Sequence, residues 1–105
     1  MSPASSQMLQ WSHYIAISLF ALGLVGFLIR KNAIIVLMCV ELMLNAANLL
    51  LIEISMRTGT AEGTILVVFV ITVAAAEVAV GLGILVNLYR IKGTVDLDAF
   101  KSLQG

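Results

Sequence analysis

The chain has 105 residues, no net formal charge, 61% hydrophobic residues and 11% charged ones, against about 25% charged in an ordinary soluble domain. Its mean hydropathy of +1.08 and its shortness argue against a core buried in water, and its neutrality argues against a nucleic-acid surface. With one cysteine, Cys39, one histidine, His13, and neither a GxGxxG nor a GxxxxGK motif, the sequence offers no internal disulfide, no iron–sulfur ligand set of about four cysteines, no zinc site and no nucleotide site, so the chain carries no redox centre of its own.

The first stretch, through Tyr14, has no Lys or Arg. It lacks the basic n-region and cleavage pattern of a signal peptide and reads as the retained start of the mature chain. Pro3, Ser5 and Ser6 suggest a loose tail. A first apolar span is expected over about residues 11–29, with Trp11, His13 and Tyr14 placed as an interfacial anchor. Arg30, Lys31 and Asn32 close it.

The second span is expected over about residues 33–54 and contains Glu41, in VLMCVELMLNAANLLL. Glu41 is nine residues beyond Asn32, roughly 13 Å of helical rise, which places it well inside hydrocarbon. A carboxylate there costs about 2.5–3.5 kcal/mol on insertion scales, a cost that the surrounding Leu, Ile and Val offset. Lipid disfavours the charged form of a carboxyl, which fits such a group to gain and lose a proton during turnover. The competing reading is a carboxyl that pairs with a neighbouring subunit for assembly. At about 100° per residue, Asn45 and Asn48 fall near the face of Glu41. Their amides can bond the carboxyl or hold water, or can serve as interhelical hydrogen-bonding glue. Glu53 points elsewhere and is expected to be solvated or interfacial, as is Glu62.

Arg57 to Thr60 make a short polar turn. The third span is expected over about residues 64–89, roughly 39 Å of helix against a hydrocarbon core of about 30 Å, so it tilts or overhangs. It contains Glu77, in ITVAAAEVAVGLGIL, thirteen residues from Thr64 and from Arg90, near the midplane. Rise per residue separates Glu41 and Glu77 by only about 6 Å in depth, within reach of a direct hydrogen bond or of one or two bridging waters. Ala74 and Gly81 flank Glu77 on its own face, and Ala75, Ala79 and Gly83 form a second strip of small residues. Small residues permit close helix approach, and strips on two faces imply partner subunits. The tail, residues 93–105, is polar, with Asp96, Asp98 and Lys101, and is expected to be exposed.

Each run is far longer than the ~10 residues of a barrel strand and none alternates polar with apolar, so the fold class is all-α, with three transmembrane helices in one membrane domain. Short connections make successive helices antiparallel neighbours. Three spans put loop 1 and the C-terminus on one side, with Arg30, Lys31, Arg90 and Lys92, and leave Arg57 alone on the other. The positive-inside rule then places loop 1 and the C-terminus in the cytoplasm or its equivalent and the N-terminus outside, in a multi-pass membrane protein.

The motifs VELMLNAANL and AAAEVAVGLG, in consecutive helices of a chain this size, resemble the K subunit of respiratory complex I, equivalent to the mitochondrial 4L subunit. The resemblance extends over about residues 15–90. It implies a non-redox membrane-arm subunit of proton-translocating NADH-quinone oxidoreductase, in contact with the A, H, J and N subunits and with lipid. It implies that NAD, FMN, iron–sulfur clusters and quinone are bound by other subunits, and that none is bound here. It maps the family's two proton-relay glutamates onto Glu41 and Glu77, and its basic first loop onto Arg30 and Lys31. The chain departs from the family pattern in a longer N-terminus and in its Leu-Gln-Gly ending, which touch neither glutamate. The homologous C subunit of multi-subunit sodium/proton antiporters is the nearest alternative. It usually lacks both acids and has a proline at the start of its third helix, whereas this chain has both acids and no proline after Pro3. A small multidrug transporter would have four spans and an acid in the first, and a purely structural scaffold would need no buried carboxyls.

Overall fold

The computed structural model describes residues 2–100 of the chain, with the side chains of 99 and 100 left aside; Lys101 and the Leu-Gln-Gly ending lie outside the described residues. Three long helices, α1 (Pro3–Ile29), α2 (Ala33–Thr58) and α3 (Glu62–Lys92), are followed by a single turn, α4 (Leu97–Phe100). All three are long and apolar enough to cross a membrane. At 27, 26 and 31 residues they exceed the ~20 residues a bilayer needs, an excess that tilting or overhanging ends accommodate.

The first helix begins earlier than its composition suggests. Ser2 caps it, its hydroxyl accepting from the Ser5 amide, and Pro3 occupies the first turn, where a missing N–H costs nothing. The expected loose tail at Pro3 to Ser6 is therefore helical. Asn32 caps α2 by accepting from the amides of Ile34 and Ile35, a strong helix-start signal. The second helix runs four residues past the expected Ile54 because Gly59, at φ 70°, supplies the left-handed conformation that closes it, its amide returning to the Ser55 carbonyl.

The central element is α2, which packs against α1 on one side and α3 on the other. The result is a flat row rather than a closed bundle, 58 × 25 × 18 Å in extent. The α1–α2 seam is tight. Ala16, Gly23 and Ala46 are buried in it, and a β-carbon added at Gly23 would lie 2.9 Å from the Cys39 carbonyl oxygen. Of the small-residue strips on α3, Ala74 is buried and Gly81 lies against Leu37 of α2, whereas Gly83 has nothing beside it. Among the described residues no large side chain is fully buried, and Leu, Ile, Val and Phe side chains are exposed along all three helices. That surface is suited to lipid and to neighbouring proteins, not to water.

The described part of the tail is at the surface as expected, with Asp96 and Asp98 exposed, and it is also anchored. Residues 94–98 fold back onto loop 1: the Val95 carbonyl accepts from the Ala33 amide, the Lys31 carbonyl accepts from the Leu97 amide, and the Lys31 ammonium pairs with Asp98 at 2.8 Å. The hydrogen bond and charge of Asp98 raise Lys31 above its ordinary value. Loop 1 and the C-terminal segment thus form one small structure at one end of the helices.

Candidate functional site

Glu41 sits about a third of the way along α2 (Ala33–Thr58). It lines a groove with Met38 and Asn45 of its own helix and Val78 and Leu82 of α3. Its side chain is half-buried and Asn45 is exposed. Both therefore open from the same side of the α2–α3 seam, as their four-residue spacing requires.

Asn48 separates from this pair. Leu37 and Ser55 of α2 touch α3, at Gly81 and Gly63 respectively. Asn48 lies eleven residues after the first and seven before the second, near-integral numbers of turns, so it shares their row. It is 5% exposed, and its Oδ1 has no hydrogen-bond donor among the described residues. The expected stripe is thus two sites, a groove holding Glu41 and Asn45 and a seam holding Asn48.

Glu77 is exposed on α3. It lines a groove with Leu44 of α2 and Val70, Val73 and Ala74 of its own helix, and a second, outward-facing one with Val80 and Ile84. Val78, which faces the Glu41 groove, is one residue and about 100° away. The two carboxyls consequently open on opposite sides of the seam. Neither Glu41 nor Glu77 has a hydrogen-bonded or charged partner among the described residues.

At the far end of the seam Ser55 donates to the Thr60 carbonyl and lies 3.2 Å from the Thr64 hydroxyl, tying the α2–α3 connection closed. Arg30 and Lys31 stand together in loop 1, Arg30 exposed and Lys31 on Asp98.

One acid behaves unlike its expectation. Glu53 is only 4% exposed. Its carboxylate meets His13 Nδ1 of α1 at 3.1 Å and accepts from Arg57 Nε at 2.9 Å. The four-residue spacing to Arg57 is a visible signal in the sequence. The meeting with His13, forty residues away, is set by the α1–α2 packing and leaves no local trace.

The comparisons with known proteins agree with one another. NADH-ubiquinone/plastoquinone oxidoreductase chain 4L matches over residues 11–105. NADH-quinone oxidoreductase subunit K of Protochlamydia amoebophila is 50% identical over 95 residues, covering 90% of this chain and 96% of that protein. The subunit K of Roseiflexus castenholzii is 51% identical over 100 residues, covering 93% and 100%, and that of Methylacidiphilum infernorum is 50% identical over 95 residues, covering 89% and 94%. With the matching region spanning all three membrane helices and both intramembrane glutamates, the chain belongs to the chain 4L, or subunit K, family of NADH-quinone oxidoreductases.

Proposed function

We propose that this chain is a membrane-arm subunit of a proton-translocating NADH-quinone oxidoreductase, and that Glu41 and Glu77 pass protons across it and help couple quinone reduction to pumping. One observation carries the reading: two carboxyls sit in apolar helices without a cationic or hydrogen-bonding partner among the described residues, and they open on opposite sides of one helix seam. An assembly contact would need one such group per interface. Two groups at similar depth, turned to two sides, suit a lateral relay that takes a proton from a neighbour on one side and gives it to a neighbour on the other.

In this reading Asn45 hydrogen-bonds or orders water at the Glu41 groove, and Asn48 offers a buried acceptor within the seam that separates the two acids. A buried acceptor left without a donor costs about 1–3 kcal/mol, so a water in the seam would be held firmly and would bridge the two sides. The chain binds no cofactor itself; NAD, FMN, iron–sulfur clusters and quinone belong to other subunits. Its partners are the A, H, J and N subunits, which cover the exposed apolar faces, including the Ala75, Ala79 and Gly83 strip. The protein lies in the inner (cytoplasmic) membrane. Arg30, Lys31, Arg90 and Lys92 gather at one end and Arg57 stands at the other, so loop 1 and the C-terminal segment face the cytoplasm.

The test is donor-driven proton uptake into membrane vesicles carrying Glu41→Gln or Glu77→Gln, with an immunoblot for assembly. Loss of pumping in an assembled complex is the expected result. Unimpaired pumping in both variants would refute the relay.

A further inference from the structure

At the other end of the molecule from loop 1, a cleft of about 520 Å³ opens between α1 and α2, and the relay does not use it. Its floor is the buried Glu53 carboxylate, bonded to His13 and to Arg57 as described above. Gln10 and Tyr14 complete its polar rim, the Gln10 amide nitrogen lying 3.5 Å from the phenol oxygen. Leu50 and Ile54 form its apolar wall.

The bonding pattern leaves specific capacities unspent. A carboxylate that accepts from guanidinium Nε leaves both Nη groups free to donate. A neutral imidazole that donates through Nδ1 to a carboxylate is in the tautomer whose Nε2 accepts. The cleft therefore presents donors, on Arg57 and the Tyr14 hydroxyl, beside acceptors, on His13 Nε2 and the Gln10 amide oxygen. Glu53 cancels the charge of Arg57, so with His13 neutral the cluster has no net charge. A simple anion gains little from it, whereas a ligand with an anion and a hydrogen-bonding cation side by side satisfies both halves.

Depth identifies the occupant. Trp11 and Tyr14 are exposed beside the cleft, edge to face with ring centroids 6.4 Å apart, the arrangement of an aromatic belt at a membrane boundary. Arg57 lies in the last turn of α2, able to extend toward the headgroups. What meets a polar cleft with an apolar wall at that level is a phospholipid.

We propose that this cleft seats an aminophospholipid, its phosphodiester on Arg57 and Tyr14, its primary ammonium on His13 and Gln10, and its acyl chain along Leu50 and Ile54. Glu53 is the positioning residue, since it aims both the guanidinium and the imidazole.

The experiment uses the intact complex with a phosphatidylethanolamine bearing a photoreactive acyl chain, adducts being mapped by peptide mass spectrometry. Adducts are expected on the segments containing Tyr14 and Leu50–Arg57. Unlabelled phosphatidylethanolamine should suppress them, and phosphatidylcholine, whose ammonium has no N–H, should be weaker by about tenfold, the ratio expected of one charge-assisted hydrogen bond. Inorganic phosphate should not compete. Arg57→Leu and Glu53→Gln should each lower adduct yield in assembled complex. Equal competition by phosphatidylcholine or phosphatidylglycerol would overturn the ammonium assignment, competition by phosphate alone would overturn the lipid, and absence of adducts from both segments would overturn the site. The competition series uses the wild-type complex and decides the matter even if the variants fail to assemble.

Discussion

Glu41 lies against the Val78 and Leu82 flank of α3, whereas Glu77 lies against the Leu44 flank of α2, so the two carboxyls face away from each other across one helix seam. A proton moving between them within this chain has to cross that seam. The proposed relay thus depends on what the seam contains and on which neighbours stand on its two sides, more than on the direct distance between two acids.

Glu41→Ala is expected to leave the complex assembled but to reduce proton pumping and coupled quinone reduction to about a tenth of wild type or less, the scale of losing a positioned proton-transfer group. Glu41→Asp should retain part of the activity. Met38 and Asn45 line the same groove as Glu41, so adding Asn45→Glu or Met38→Glu to Glu41→Ala should restore some pumping. Vesicle proton uptake checks this; wild-type coupled activity in Glu41→Ala would end the proposal for that residue.

Asn48→Leu separates stability from transport. The Asn48 carbonyl is a buried acceptor with no donor among the described residues, so replacing it with an apolar side chain of similar size removes a desolvated group and should not lower stability. The same change would expel water from the seam. Thermal stability of the complex should be unchanged or higher while pumping falls. A loss of stability with normal pumping would show that the amide serves as packing glue.

The three membrane helices and the two intramembrane acids were legible because both signals are local. A long apolar run can only be a helix in lipid, and a charge inside one stands out against its neighbours. Helix ends were harder. Ser2, Pro3 and Gly59 extend α1 and α2 through capping geometry, and a polar cap looks like the start of a loop in composition alone. Asn45 and Asn48 fall on nearly the same helical face, yet one is exposed and the other buried, because the position of α3 divides that face. Glu53 is buried for a related reason that its own helix does not announce: its carboxylate meets His13 of another helix. The return of the tail onto loop 1 rests on backbone hydrogen bonds at Lys31 and Ala33, which no side-chain pattern announces.

The α1–α2 seam predicts an ordering of two glycine substitutions. A β-carbon at Gly23 would meet the Cys39 carbonyl at 2.9 Å, and one at Gly26 would meet the Cys39 sulfur at 2.6 Å. The sulfur can rotate away and the carbonyl cannot. Gly23→Ala should therefore destabilise by about 1–3 kcal/mol, as overpacking does, and Gly26→Ala by less. Steady-state subunit level and thermal stability of the assembled complex measure this, and the reverse order would show that the seam adjusts at α2 rather than at a side chain.

The shared end of loop 1 and the C-terminal segment makes topology testable at either place. Arg30→Cys leaves the Lys31–Asp98 pair intact and should be labelled by an impermeant maleimide only in inverted vesicles. Labelling in intact cells would reverse the orientation. Because Asp98 raises Lys31 above its ordinary value, the ammonium is fully charged below that range, and on the alkaline side the pair is lost as pH climbs through the raised value. Labelling of Arg30→Cys, corrected for thiol ionisation, should not report any opening of this contact near neutral pH.

Glu77→Gln should reduce pumping less than Glu41→Gln. Glu41 is half-buried beside Asn45, an amide able to order water, whereas Glu77 is exposed among Ala, Val and Gly side chains, so its surroundings are completed by whichever subunit covers that face. Removing it opens a gap that water and partner groups can partly bridge. If the two acids serve one path, a break at either one interrupts the same proton flow. The double variant should then be no worse than Glu41→Gln alone, because residues acting as a unit are grossly non-additive. The measurement is donor-driven proton uptake in all four backgrounds, normalised to assembled complex. Defects that multiply in the double variant would mean that Glu41 and Glu77 serve separate paths, each addressed to the neighbour on its own side of the seam.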